Sequence, residues 1–180
     1  MQPARRIIAS DASSGVQVLI GLGGNQGDVP AAFERATVAL AQVGRVLARS
    51  SLWRSAAQGP AQPDFCNAAV RLGSDAPPLA LLAFCSQLEA QAGRTRDGDR
   101  WGPRPLDLDL LLVPDLVIAA PSLVLPHPRL ATRRFALLPA AELAPGWVHP
   151  RLHRTLADLA ADPALAGQRC ERLGPFPSSG

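Results

Sequence analysis

Asp107 and Asp109 stand one residue apart in the run 106–113, where Leu106, Leu108, Leu110 and Leu112 alternate with Asp107, Asp109, Leu111 and Val113. Alternation that passes into an unbroken apolar run reads as a strand. Side chains of period two share a face, which puts both carboxylates on one side, about 6–7 Å apart at the backbone. The alternate leucines are expected in a core, with Leu111 and Val113 continuing the Asp face as hydrocarbon. An isolated Asp-x-Asp is more often the solvated start of an edge strand. Here Arg100, Trp101, Pro103, Arg104 and Pro105 precede it closely. Two carboxylates suit Mg²⁺, which fills its shell with water and phosphate oxygens. A carboxylate pair can also hold two metal ions about 3.5–4 Å apart on a polyphosphate. Arg100 and Arg104 would meet the phosphate charge. The chemistry read from this stretch is a metal–polyphosphate site.

A second pair lies in the apolar run 65–72, where Phe65 and Asn67 share a face and Cys66 points away. A strand Phe is ordinarily core. Beside an amide that needs partners, it suits a flat heterocycle rich in donors and acceptors. The stretch 93–101 is hydrophilic and carries Arg94, Arg96, Arg100 and an isolated Trp101. A charge run is usually a solvated face; a Trp without core neighbours points instead to an anchor or lid.

Composition narrows the choice. The chain has 180 residues, a formal charge of +3 and 18 basic residues, all of them Arg. With no Lys, a Walker-type phosphate loop is impossible, so phosphate must be met by Arg, backbone N–H groups or metal. The turn from Gly21 to Gln26 lacks the third glycine of a dinucleotide fingerprint. Cys66, Cys85 and Cys170 have no zinc spacing and fit reduced thiols. No apolar run approaches the roughly 18 residues of a membrane span. A soluble, cytoplasmic protein is expected.

These residues need elements to position them. A strand is read over 16–22, then a glycine turn with Asp28 as N-cap to a helix bearing Phe33, Thr37, Leu40 and Val43 and stopped by Gly44. Strands follow over 46–55 and 65–72, separated by a proline-containing loop. A second helix starts near 76–78, presents Leu79, Leu82, Leu88 and Ala92, and ends at Gly93. The strand 106–113 closes a β-α-β-β-α-β order, the split βαβ arrangement of ferredoxin-like α+β folds: an antiparallel sheet with helices packed on it. A short strand at 117–118, a helical stretch over 130–143 and a short helix over 155–161 form a C-terminal helical extension. Residues 1–15 read as a flexible leader, 16–162 as one domain and 163–180 as a tail. His149 and His153 read as surface residues.

The run Arg100-Trp101-Gly102-Pro103-Arg104-Pro105-Leu106-Asp107-Leu108-Asp109-Leu110-Leu111 resembles the signature of the 6-hydroxymethyl-7,8-dihydropterin pyrophosphokinases, and the resemblance extends in order over roughly 16–145. It implies diphosphate transfer from ATP to a dihydropterin in folate biosynthesis, with two Mg²⁺ ions at Asp107 and Asp109. It implies that Arg94, Arg96 and Arg104 are catalytic and, with Trp101, belong to a mobile loop that closes over ATP. His127 and Arg133 match phosphate-contacting positions, and Leu110, Leu123 and Val124 match the adenine surroundings. Glu89 matches a position near the substrates. The pterin would stack between Phe65 and Phe135 beside Asn67, with further contacts from Asn25, Ser55, Ala57, Gln58 and Trp101. Two departures stand out: Gly24 replaces the serine of the family's turn, and Ala56-Ala57 replace its prolines.

A nucleotidyltransferase would use similar carboxylates but release pyrophosphate rather than AMP. An RNA-binding module on this topology would want exposed strand aromatics, yet there is no Tyr and aromatics are 4%. ATP and a dihydropterin are the expected partners, with no nucleic acid and no membrane, and the expected state is a monomer.

Overall fold

Along β1 (Val16–Gly24), Val18, Ile20 and Leu22 are buried on one side, while Leu19, Gly21 and Gly23 face the other. This strand lies between β4 (Phe65–Ser74) and β5 (Asp107–Leu112), antiparallel to both. The structure, a computed structural model, describes residues 15–59, 61–93 and 102–176. The strands expected over 16–22, 65–72 and 106–113 are therefore present in the expected order. Residues 1–14 of the expected leader 1–15, and the residues Arg94, Arg96, Arg100 and Trp101, lie outside the described residues.

The stretch 46–55 is not one strand. It divides into β2 (Arg45–Arg49) and β3 (Leu52–Ser55), both antiparallel to β4. At the break, the Ser50 hydroxyl accepts the Ala69 N–H at 2.8 Å and donates to the Ser51 carbonyl at 2.7 Å. The hydroxyl thus takes over backbone bonding where the ladder is interrupted. The main sheet runs β3-β4-β1-β5, the ferredoxin-like order, with β2 also on β4.

α1 (Val29–Leu40) starts as expected, with the Asp28 carboxylate accepting the Ala31 N–H at 3.0 Å. Its end is different. The helix stops at Leu40 and a turn follows, while Gly44 presses on β4, where a Cβ would run into the Gly73 carbonyl oxygen. Gly44 is required by close approach rather than as a helix stop. α2 (Pro78–Gln91) buries Leu81, Cys85, Leu88 and Glu89, while Leu79 is exposed. Apolar residues occupy nearly every position of its first two turns, so periodicity alone could not select the buried face. Gly93 follows at φ +90°, a left-handed terminator.

α1 and α2 pack on the face of Val18, Ile20, Leu22, Ala68, Val70, Leu108 and Leu110. The other face is covered only in part. After β6 (Ile118–Ala120) and β7 (Leu123–Leu125), a 3₁₀ turn (Leu130–Thr132) leads into α3 (Arg134–Leu143). Leu137 and Ala140 pack there on Leu19, Leu111 and Leu112. The expected helix 130–143 is thus broken at Arg133, whose backbone is extended. The β1–β5 register slips, with Ile20 opposite Leu110 and Leu19 opposite Leu112. Leu111 is the extra residue. Leu112 consequently joins Leu111 in the second core and Val113 turns to the first, reversing the alternation expected for those two.

β8 (Val148–His149), β9 (Arg154–Thr155) and α4 (Leu156–Ala160) follow on the side of α3, with Leu156 and Leu159 in the second core and α4 opening with a Thr155–Asp158 capping box. His149 is 6% exposed and its Nδ1 accepts the Arg151 N–H, so it is buried rather than a surface residue. The described part of the segment expected as a tail, 163–176, also folds. A 3₁₀ turn (Pro163–Leu165) precedes β10 (Cys170–Gly174), which pairs antiparallel with β3 and becomes the sheet edge. Phe176 then stacks on Phe33, with ring centroids 6.3 Å apart.

Candidate active site

Where α3 stops covering the second sheet face, a cavity of about 750 Å³ opens. Its floor is β1 at Gly21 and Gly23. A Cβ on Gly23 would lie 3.7 Å from Asn67 Oδ1 and 3.9 Å from Asp107 Cβ. The bare glycine therefore leaves the amide of β4 and the carboxylate of β5 facing one space with no side chain between them. Gly24 points to the opposite face, where a Cβ would stand 2.7 Å from the Pro105 carbonyl oxygen. A serine there would collide with the backbone of the 102–105 loop, so Gly24 is what lets that loop lie against β1.

On the β5 side, Asp107 and Asp109 line the cavity together, as their spacing requires. Arg104 Nη1 lies 3.3 Å from Asp107 Oδ2. Glu89, 6% exposed, also lines the cavity, and its Oε1 accepts the Leu108 N–H at 2.7 Å, fastening α2 to the start of β5. Beneath them the Cys85 thiol is pushed up to about 12 by burial, with Glu89 and Asp109 adding to the shift, so it stays protonated. Among the described residues no set of three or more Asp, Glu, His and Cys side chains is arranged to hold a metal ion. Two carboxylates opening on a cavity wide enough for phosphate match the way Mg²⁺ is held, by one or two carboxylates with water and phosphate oxygens. The donor set fits the ion.

His127 follows a cis Leu125–Pro126 bond, and its N–H donates to the Leu111 carbonyl at 2.8 Å, along the free edge of β5. Its Nδ1 accepts the Arg129 N–H at 3.2 Å, and Nε2 faces Asp109 Oδ2 across 4.0 Å. Burial holds its pKa below the ordinary value; Asp109 opposes this, and Arg129 and Arg133 reinforce it. The ring is accordingly neutral near pH 7. Because Nδ1 is an acceptor, the proton sits on Nε2, which presents an N–H donor beside the carboxylates. Arg133, from the break before α3, lines the cavity with its guanidinium 5.4 Å from the Phe135 ring centroid.

On the β4 side, Phe65, Asn67, Ser55 and Gln58 line the cavity, with Phe135 contributed by α3. Asn67 is 4% exposed; its Nδ2 donates to Ser55 Oγ at 3.0 Å and to the carbonyls of Phe65 and Trp53 at 3.3 and 3.4 Å. Its amide hydrogens are thus spent on the scaffold, and Oδ1 remains as the acceptor turned toward the glycine floor.

Several expected site residues do not reach the cavity. Leu110 and Leu123 are buried in the first core, at 3% and 7% exposure, and Val124, His127, Ala57 and Asn25 are not on its wall. Asn25 instead ties loops together: Oδ1 accepts the Arg104 N–H, and Nδ2 donates to Gln62 Oε1 and the Pro63 carbonyl. Two polar residues on the wall, Gln26 and Arg129, were not among the expected site residues. Arg129 had a signal, a cation two residues after His127; Gln26 had none beyond the glycine turn.

Residues 19–145 match the family 7,8-dihydro-6-hydroxymethylpterin-pyrophosphokinase. The chain is 42% identical over 143 residues to the 2-amino-4-hydroxy-6-hydroxymethyldihydropteridine pyrophosphokinase of Synechocystis, covering 78% of this chain and 73% of that one. It is 41% identical over 132 residues to the protein of the same name from Methylorubrum extorquens, covering 72% and 83%. Among solved structures, the HPPK-DHPS of Plasmodium falciparum superposes with a TM-score of 0.66 at 14% identity, a likeness of fold. It covers 84% of this chain, which spans less than half, 46%, of that longer one. With a family match over 19–145 and relatives above 40% identity, the chain belongs to the 7,8-dihydro-6-hydroxymethylpterin-pyrophosphokinase family.

Proposed function

We propose that this protein transfers a diphosphate from ATP to the hydroxymethyl oxygen of 6-hydroxymethyl-7,8-dihydropterin, a step of folate biosynthesis. The observation that carries the reading is the shared cavity. The carboxylates of Asp107 and Asp109 open on it from β5 and the Phe65–Asn67 pair from β4, across the side-chain-free floor at Gly23. A triphosphate on one side and a flat heterocycle on the other would meet over that floor.

In the reaction the substrate oxygen forms a bond to the β-phosphorus, the α–β bridging bond breaks, and AMP departs with the bridging oxygen. The hydroxyl proton passes to solvent. Asp107 and Asp109 would hold Mg²⁺, two ions by the family resemblance, and the metal when bound supplies charge neutralisation on the phosphates. Arg104, Arg129 and Arg133 would bind phosphate oxygens from the cavity wall, and the Nε2–H of neutral His127 would do so from beside Asp109. Arg94, Arg96 and Trp101 keep their roles toward ATP from the resemblance alone, as do Leu110, Leu123 and Val124 toward the adenine. The pterin would lie between Phe65 and Phe135, with a ring N–H or amino group donating to Asn67 Oδ1. Ser55 orients that amide, Gln58 lies beside it, and Ala57 and Asn25 shape the surrounding loops. Catalysis on this reading is positioning and charge stabilisation. A monomer working in the cytoplasm is part of the same proposal; among the described residues no helix is long and apolar enough to cross a membrane.

Incubation with ATP, Mg²⁺ and 6-hydroxymethyl-7,8-dihydropterin, followed by nucleotide chromatography, tests it. AMP that appears only when pterin is added is the expected product. Pyrophosphate in its place would mean attack on the α-phosphorus and overturn the reading.

A further inference from the structure

The region that matches the family ends at residue 145, yet the chain continues into ordered structure that returns to the site. The returning piece is short, residues 166–170, and touches both walls of the pterin side. Arg169 Nη2 donates to both carboxylate oxygens of Asp64, at 2.6 and 2.7 Å. Asp64 is the residue immediately before Phe65. Cys170 pairs with Ser55, at the other root of the 56–64 loop. Gln168 grips the opposite wall: its Oε1 accepts the Arg134 N–H at 2.8 Å and its Nε2 donates to the Thr132 carbonyl at 2.8 Å. Those two residues bracket Arg133, and Arg134 immediately precedes Phe135. The Arg134 guanidinium in turn donates to the carbonyls of Ala166 and Gln168, at 3.3 and 3.2 Å.

We infer that residues 166–170 are a strap that sets the spacing between Phe65 and Phe135, with Gln168 and Arg169 as positioning residues for the pterin. The inference rests on the proposed function. Neither residue lines the cavity, so neither touches substrate. Phe65 and Phe135 sit on separate elements, β4 and α3, and this segment holds the residue preceding each. A stacked heterocycle needs a fixed gap, because ring contact decays within a fraction of an ångström of the optimum. The 56–64 loop, which has Ala56-Ala57 where the family has prolines, has less stiffness of its own to hold that gap. The ion pair is open to water, its side chains 51% and 34% exposed, so losing it costs the fold little. Its effect falls on the slot.

The test compares the unaltered protein with Gln168→Ala, Arg169→Ala, Asp64→Asn and Arg169→Lys, measuring KM for each substrate, kcat and thermal midpoint. Gln168→Ala, Arg169→Ala and Asp64→Asn should each raise the pterin KM roughly tenfold, with the ATP KM within about twofold, since displacement of a positioned group is felt only by its own ligand. Arg169→Lys should largely restore the pterin KM, because one nitrogen makes both bonds to Asp64 and an ammonium can do the same. Unchanged pterin KM in all three disrupting variants, or equal rises for ATP and pterin, would overturn the strap. So would a pterin defect that appears only where the thermal midpoint collapses. If the unaltered protein makes no pterin-dependent AMP, the functional reading fails and the strap's role falls with it. An active parent with unaltered variants refutes the strap alone.

Discussion

Asn25 and Arg104 hold each other twice: the Asn25 N–H donates to the Arg104 carbonyl at 2.9 Å, and Asn25 Oδ1 accepts the Arg104 N–H at 2.9 Å. The same side chain reaches Gln62 and Pro63 through Nδ2. One amide therefore joins the glycine turn, the loop beside the carboxylates and the loop beside Phe65.

Asn25→Ala should raise the KM for both substrates and lower kcat/KM about tenfold, as loss of a part-buried polar partner costs about 1–3 kcal/mol. Asn25→Asp keeps the acceptor for Arg104 but not the donors to the 56–64 loop. Steady-state kinetics should then show the ATP parameters recovering while the pterin KM stays high. Equal recovery of both would show that the link to Gln62 and Pro63 is idle.

Asp107→Ala and Asp109→Ala should each cut turnover at least about a hundredfold, the scale of losing charge stabilisation at a transferring phosphoryl group. Neither should shift unfolding free energy by more than about 1 kcal/mol, because both side chains are partly open to water, 28% and 47% exposed. Chemical denaturation beside an AMP assay separates the two effects. Near-normal turnover in both variants would remove the metal assignment.

For Asn67→Ala, pterin affinity should fall by about 1–3 kcal/mol while ATP affinity holds, since the lost Oδ1 is the acceptor turned to the cavity. Ser55→Ala should give a smaller loss, as it only orients that amide. Calorimetric titrations with each ligand decide it; equal weakening toward ATP would place the heterocycle elsewhere.

His149 gives a pH dependence of stability. Burial lowers its folded-state pKa below the ordinary 6.5. The unfolded chain therefore binds the proton more readily, and stability falls as pH drops from about 6.5 toward the folded value. Above that window the contribution is complete. His127 is shifted in the same direction by burial. Thermal midpoints recorded from pH 7.5 to 5 should decline, and His149→Gln should flatten part of the decline. An identical slope in the variant would assign the effect to other groups.

Some features of the molecule depend on neighbours in sequence, and these were legible there. Strand period two alone puts Asp107 and Asp109 on one face, Asp28 caps α1 within its own turn, and the order of apolar runs yields the ferredoxin-like sheet. The motif through Leu111 likewise named the family and the position of the carboxylates. Other features were decided by contacts between distant segments. Which way Leu112 turns depends on a register slip against Leu19; whether His149 is buried depends on what packs over β8. Arg133 reaches the cavity because the 130–143 stretch breaks there, and Asn25 works as a tie because two other loops come within reach of its amide. The C-terminal residues carry no periodic signal of their own. They become a strand and a strap because the ladder of β3 was open and because Asp64, Thr132 and Arg134 stood where Gln168 and Arg169 could bond them. The Arg169–Asp64 pair joins residues 105 positions apart, and periodicity, which reads only neighbours, has no access to such a pairing.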